Sequence, residues 1–290
     1  MAAFSEVVDY LRAQSDPAAS ALILEKSPNA DSKLADATVQ DLMQGYKFWQ
    51  TFTPNSAKVH IVFAQRQDID WFVERMKAAQ PGNGEWIPRI YDLAKNNPGN
   101  AYGGSNGGDS QGVPLFFFLP GSVTQPNSPG WLGTGPHEWT HQAQYIMTGN
   151  INLLPCWFKE GQATFFGNAI SNDEKAKWQS VWKFQLNTIR YDLPSFYTMT
   201  TGDLKIWFTN HTLNMPNNVC GPDGAFMIGG MATEYLTGTL GLPAIFKFEE
   251  LIKTGMSWDA ALEKVSGKSA DILIDEIIQF VLYQRSWMQS

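Results

Sequence analysis

No run of this 290-residue chain is apolar over the length of a bilayer crossing, so no helical membrane span is expected. Basic residues are short as well. Twenty-one Lys and Arg face 28 Asp and Glu, a formal charge of −7, and that balance excludes the positive footprint of a nucleic-acid binder. Charged residues of both signs make up only 17% of the chain, so Asn, Gln, Ser and Thr must supply much of the polar surface. Cysteine occurs twice. Cys156 and Cys220 leave open a disulfide or two buried thiols; their place in loops flanking the motif described below favours the disulfide, and with it an extracytoplasmic location. The opening Met1-Ala2-Ala3-Phe4-Ser5-Glu6 has neither a basic nor an apolar signal segment, so no signal peptide is expected in the chain as it stands. Histidine is scarce too, with four in all.

Two of those four fall in His137-Glu138-Trp139-Thr140-His141, an H-E-x-x-H run. On a helix the two imidazoles, four residues apart, leave the same face and can grip one ion. Glu138 lies beside them, where a carboxylate reaches the open side of that ion and takes a proton from its bound water. After eighteen intervening residues comes Glu160, within Trp157-Phe158-Lys159-Glu160-Gly161, a third ligand that leaves one coordination position free, as catalytic zinc requires. From average residue usage, an H-E-x-x-H run arises by chance in a chain of this length with a probability on the order of 1%.

The rest of the chain reads as α+β. Its length suffices for one large domain or two intimate lobes, and most of its eleven tryptophans are expected in the core. Residues 4–49 read as two or three helices, broken at Pro54-Asn55; residues 59–64 and 113–119 read as strands, with a helix from Ile69-Asp70 between them. Pro81-Gly82-Asn83-Gly84 reads as a turn, and the Asn-, Gly- and Ser-rich residues 96–112 as a surface loop or a flap over a cleft. Pro136 fits the first position of the motif helix, with Thr134 or Gly135 as cap and a stop at Gly149-Asn150. Pro155 opens a second helix, in which the small residues Gly161, Ala163 and Gly167 would let it approach the first. Helices are then predicted at 174–188, 225–240, 243–253, 258–265 and 272–287. Residues 1–150 thus form a mixed lobe with a sheet packed on the motif helix, and 151–290 a helical lobe carrying the third ligand, the two making one continuous unit.

The motif, the eighteen-residue interval and Trp157-Phe158-Lys159-Glu160-Gly161 resemble the gluzincin clan of zinc metallopeptidases, in particular the catalytic domain of its aminopeptidase-like members. The likeness continues in Phe226-Met227-Ile228-Gly229-Gly230-Met231-Ala232-Thr233-Glu234-Tyr235-Leu236, Gly241 and Pro243-Ala244-Ile245-Phe246, and covers roughly half of the chain. The resemblance implies a zincin-like fold, Zn²⁺ on His137, His141 and Glu160, Glu138 as general base, and a peptide or protein substrate. It also implies that Tyr235 packs in the core. Two features depart from the clan. Phe226 stands where its oxyanion-stabilising tyrosine stands, and no G-x-M-E-N-like segment is present, so aminopeptidase specificity does not carry over.

Other residues fill out the expected site. His211, in a loop before the helix that carries Phe226, is the first candidate for the missing oxyanion donor, and Tyr197 is the second. Thr164, Asn168 and Asp173 are candidates to support the ligands, Thr164 being best placed, one turn after Glu160. His60 is expected to face solvent or a neighbouring strand. Three functions stay open: a zinc metallopeptidase, a zinc-binding peptidase-fold protein with weak or no turnover that acts as a scaffold, and a zinc hydrolase of non-peptide amides or esters.

Overall fold

Lys58–Phe63 and Pro114–Leu119, rich in β-branched or aromatic residues, form the middle of a four-stranded sheet in the computed structural model. The structure describes residues 2–16, 21–53, 58–81, 86–97, 99–125, 128, 129, 131–211, 220 and 224–289. In chain order it begins with α1 (Ala2–Ala13), β1 (Ala21–Lys26), α2 (Ser32–Trp49) and β2 (Lys58–Phe63). Next come α3 (Ile69–Ala79), α4 (Trp86–Asn96), β3 (Tyr102–Gly108), β4 (Pro114–Leu119), α5 (Thr134–Thr148) and α6 (Cys156–Ile170). The remainder is helical: α7 (Lys175–Leu186), α8 (Ile189–Asp192), α9 (Thr201–Asn210), α10 (Ala225–Leu240), α11 (Leu242–Lys253), α12 (Trp258–Ser266) and α13 (Ala270–Gln289). The protein is α+β and mostly helical, with a small mixed sheet. It divides into two compact units, residues 15–142 and residues 1–14 with 143–290, and the division falls inside α5. No helix among the described residues is long and apolar enough to cross a membrane.

In the unit of residues 15–142 the strands lie in the order β1-β2-β4-β3, the first three parallel and β3 antiparallel at the edge. Consecutive residues of β4 point to opposite faces. Leu115 and Phe117, with Val62, pack against Phe72 and Met76 of α3 and Ile87 of α4, and Trp86 stacks on Phe117 at 5.2 Å between ring centroids. On the other face Phe116 meets Trp139 of α5 at 4.7 Å and Phe118 meets Trp131 at 6.0 Å. Burial on both faces explains why β4 reads as an unbroken apolar run. Each such phenylalanine contributes about 1.5–3 kcal/mol by leaving water.

Two expectations are corrected in this unit. β1 is a strand where the sequence reads as helix: Leu-Ile-Leu suits either state, and parallel pairing along β2, from Ala21 against Lys58 to Lys26 against Phe63, decides it. Within the presumed loop of residues 96–112 lies β3, paired to β4 with an irregularity between Ser105 and Gly108. Its glycines reflect space. A Cβ on Gly104 would stand 2.2 Å from the Phe117 ring. The expected break at Pro54-Asn55 and the turn at Gly82-Asn83-Gly84 lie outside the described residues.

The other unit holds the helices predicted beyond residue 174, each within a few residues of its expected ends. At its centre α6 is buried along its whole length except at Lys159 and Glu160. Its small residue Gly161 serves a neighbour other than the one expected. A Cβ there would lie 2.1–2.5 Å from the backbone of Gly229, so the glycine brings α6 against α10 rather than against α5.

Candidate metal centre

The first turn of α5 is fixed from α2. Asp41 Oδ2 accepts hydrogen bonds from the backbone amides of Gly133 (3.1 Å) and Gly135 (3.3 Å), supplying from a distance the cap that the local sequence lacks. The helix begins at Thr134, so Pro136 sits third rather than first, still within the turn whose N–H groups have no partner along the helix. A Cβ on Gly45 of α2 would come within 2.7 Å of Pro136 Cα and 2.9 Å of Trp139 Cβ, which keeps the two helices in backbone-close contact. One turn on, Trp49 Nε1 donates to Thr140 Oγ1 at 3.0 Å. α5 ends at Gly149, whose positive φ of 73° suits the stop.

On this helix His137 and His141 face each other with Nε2 atoms 3.1 Å apart and rings crossed at 86°. α6 is tied to the same helix: Gln144 Nε2 donates to Lys159 O at 2.9 Å and to Gln162 Oε1 at 2.6 Å. One residue from that carbonyl stands Glu160. His137, His141 and Glu160 each offer one ligand atom, and the three atoms lie within 4.8 Å of one another. All three side chains are half-buried. Two imidazole nitrogens and a carboxylate oxygen converging on one point fit a zinc ion's preferred donors. Lys159 Nζ stands 3.8 Å from Glu160 Oε1 and balances its charge.

Glu138 is 7% exposed. Its neighbour is the edge strand: a Cβ on Gly103 would lie 3.3 Å from Glu138 Oε1 and 2.7 Å from Thr134 Cγ2. Glycine at this point of β3 lets the strand backbone lie directly beside the carboxylate.

His211 caps the C-terminus of α9, buried, with its ring stacked on Trp207 at 4.0 Å and Nδ1 2.8 Å from Trp207 O. A carbonyl only accepts, so the proton sits on Nδ1, and Nε2 donates only from the imidazolium. His211 O accepts from Trp157 N at 3.4 Å, which anchors it at the start of α6. Tyr197 is half-buried, and its hydroxyl donates to Asn187 Oδ1 at 3.3 Å. Phe226 is the second residue of α10 and half-buried. Thr164 is buried with no hydrogen-bond partner for its Oγ1, Asn168 is engaged with Thr164 O and Gln185, and Asp173 is exposed beyond the end of α6, away from any supporting role. Cys156, which opens α6, is bridged to Cys220 with Cα atoms 5.3 Å apart.

Of the two places expected for His60 the cross-strand one holds, whereas the reading of Tyr235 changes. His60 is buried: its Nε2 meets Glu25 Oε1 of neighbouring β1 at 2.8 Å and its Nδ1 meets Asp109 Oδ2 at 3.0 Å. Burial opposes the charge of Asp109, but hydrogen bonds from His60 and from the amides of Val113 and Gln111 outweigh it and hold the carboxyl below its ordinary range. Tyr235 is half-buried rather than core, with its hydroxyl on Glu276 at 3.0 Å.

One buried group near the site was not anticipated. Gln162 Nε2 donates to Glu249 Oε1 of α11 at 2.5 Å, extending the Gln144–Gln162 pair into a chain across three helices. Glu249 is fully buried, and that burial pushes its pKa up to about 8, with the bond from Gln162 acting the other way. The signal was present: Ile245, Phe248, Glu249 and Ile252 form one stripe at helical spacing, and a carboxylate on an apolar stripe is a buried one.

No protein-family model, curated protein or solved structure matches the chain.

Proposed function

We propose that the chain is a zinc metallopeptidase with a zincin-like fold of the gluzincin kind, in which His137, His141 and Glu160 hold the metal. The observation that carries this reading is the convergence of those three ligand atoms within 4.8 Å on two helices whose sequence spacing called for it. Zinc bound there supplies a Lewis acid and lowers the pKa of a bound water towards neutrality. Glu138 accepts the proton of the attacking water; its burial excludes bulk water from the proton's path, and Gly103 leaves its carboxylate unobstructed by a side chain of β3. β3 pairs with β4 alone among the described strands, so its outer backbone groups are available to a peptide lying alongside as a further strand. That feature favours peptide over small-ester substrates. The disulfide suits an extracytoplasmic site of action.

A second reading rests on Phe226 and His211. Phe226 has no hydroxyl, and the His211 ring commits its Nδ1 proton to Trp207 O. A protein with these residues can hold zinc and turn substrate over poorly, acting as a binding or scaffold protein. Metal analysis combined with cleavage of a peptide library separates the readings. The peptidase reading expects one zinc per chain and cleavage lowered about 10²–10⁴-fold by Glu138→Gln with zinc retained. Zinc without cleavage supports the second reading, cleavage of esters alone supports a non-peptide hydrolase, and absence of zinc after loading at neutral pH overturns all three.

A further inference from the structure

Beside the proposed ligand Glu160, α6 carries one further charged residue, Lys159. Both side chains are largely withdrawn from water, 11% exposed for the lysine and 13% for the glutamate. A lysine ordinarily runs its stem along the surface and keeps its ammonium in water. Here Nζ instead lies 3.8 Å from Glu160 Oε1. That distance pairs the charges but exceeds the reach of a hydrogen bond, about 3.2 Å, and Nζ makes no hydrogen bond among the described residues. Its N–H donors are therefore uncommitted among those residues. The backbone of the same residue is held, since Lys159 O accepts from Gln144 Nε2 at 2.9 Å, so the flexible stem alone can re-aim the charge.

The charges around the proposed metal decide what this ammonium meets. Without a cation, Lys159 and Glu160 neutralise one another. Zinc held by His137, His141 and Glu160 takes that carboxylate for itself and keeps one positive charge, which Glu138 offsets. Lys159 is then the unmatched charge, half-buried and short of both water and a counter-ion, which is a costly state. An anion brought by the ligand relieves it. The anions of a peptide are carboxylates, at its C-terminus and on Asp and Glu, and a compact ammonium donates well to either. Resting on the metallopeptidase reading, we propose that Lys159 is a specificity residue whose ammonium receives a carboxylate of the substrate, so that the site takes peptides bearing one close to the scissile bond. A lysine that served only to hold Glu160 would hydrogen-bond it, and at 3.8 Å it does not.

Two hydroxamates test it on the full chain once metal analysis has shown zinc bound. Succinic monohydroxamic acid and butyrohydroxamic acid present the same metal-binding head, and only the first ends in a carboxylate. Isothermal titration at about 0.05 M salt, where charge is weakly screened, is expected to give the succinic probe at least about ten-fold tighter binding. Lys159→Met keeps an unbranched stem and removes the charge. It should erase that margin, leave butyrohydroxamic acid unaffected and hold zinc at least as tightly, since a nearby positive charge has gone. Lys159→Arg should keep the margin, and Lys159→Gln replaces the methionine variant if that one does not fold. Cleavage of peptide pairs then locates the carboxylate. Preference for free-acid over amidated C-termini places it at the chain end, and preference for Asp or Glu over Asn or Gln beside the cut places it on a side chain. Equal binding of the two probes by the wild type, a margin that survives in Lys159→Met, or cleavage indifferent to both carboxylates would sink the proposal and leave the metal site standing. So would loss of zinc from Lys159→Met, which would make the lysine a prop for Glu160. Absence of zinc from the wild type would remove the metal reading, and the proposal with it.

Discussion

Replacing Glu249 by glutamine should make the protein more stable in alkali and leave it nearly unchanged in mild acid. In the unfolded chain this carboxyl titrates at its ordinary 4.5; in the fold, burial moves it to about 8. Between those values the folded protein keeps a proton that the unfolded chain has released, so stability falls as pH rises. The contribution is complete below about 4.5 and is lost as pH passes through about 8. At about 1.4 kcal/mol per pH unit, a window from 4.5 to about 8 amounts to on the order of 4–5 kcal/mol. Glutamine keeps an oxygen for Gln162 Nε2 and cannot ionise. Urea denaturation at several pH values between about 5 and 9, run on both proteins, measures the difference. The two midpoints are expected to lie close together at about pH 5 and to separate by more than about 1 M urea at about pH 9, the variant being the more resistant. A gap that stays constant across the range would refute the reasoning, because it would mean that Glu249 does not change its proton affinity on folding. The Gln144–Gln162–Glu249 chain joins α5, α6 and α11 close to His141 and Glu160 in sequence.

Loss of an imidazole distinguishes the two kinds of histidine: His141→Ala should abolish zinc in metal analysis, whereas His60→Ala should retain it and instead lower the melting temperature, as Glu25 and Asp109 lose their shared partner. Gly103→Ala puts a methyl 2.7 Å from Thr134 Cγ2 and 3.3 Å from Glu138 Oε1, so turnover should fall about ten- to a hundred-fold with zinc content unchanged. An alanine variant with full activity would show that the spacing between β3 and the carboxylate is immaterial. If His211 supplies the oxyanion contact, His211→Ala should lower kcat on the order of 10²-fold and remove a pH limb from the kcat profile, because only its imidazolium has a proton to give from Nε2. A profile of the same shape in both proteins assigns that role elsewhere.

The convergence of His137, His141 and Glu160 was legible because its information is local. The histidines lie four apart on one helix, and the rest of that helix, one loop and the first turn of α6 lie between them and Glu160, so spacing alone predicts convergence. The C-terminal helices were legible for a similar reason, their apolar stripes being long and uninterrupted. β1 and β3 were not. A Leu-Ile-Leu run has no state until β2 lies beside it, and Gly103-Gly104 reads as loop because the cause of its glycines, the Phe117 ring and the first turn of α5, is remote in sequence. Asp41 is hidden in the same way: it lies 92 residues before the Gly133 amide that it caps. Small residues were read correctly as a close approach and assigned to the wrong partner, since Gly161 says that a helix is near but not which one.

The contact between Gly161 and Gly229 sets a limit on how this sequence can drift. Each position is occupied by the other's backbone, and Gly229 also lies against Trp157 O. In most packed pairs a larger residue on one side can be offset by a smaller one opposite. Here both sides are already at the minimum, so every substitution adds volume in the same direction and no second change at the pair restores the fit. Glu160 is the residue next to Gly161, so a helix shift that relieved the crowding would also move this proposed ligand. Variation in this protein should therefore be tolerated at exposed positions such as Ile272 of α13 long before it is tolerated at these two glycines, and a library randomised at both should return the parental pair almost alone.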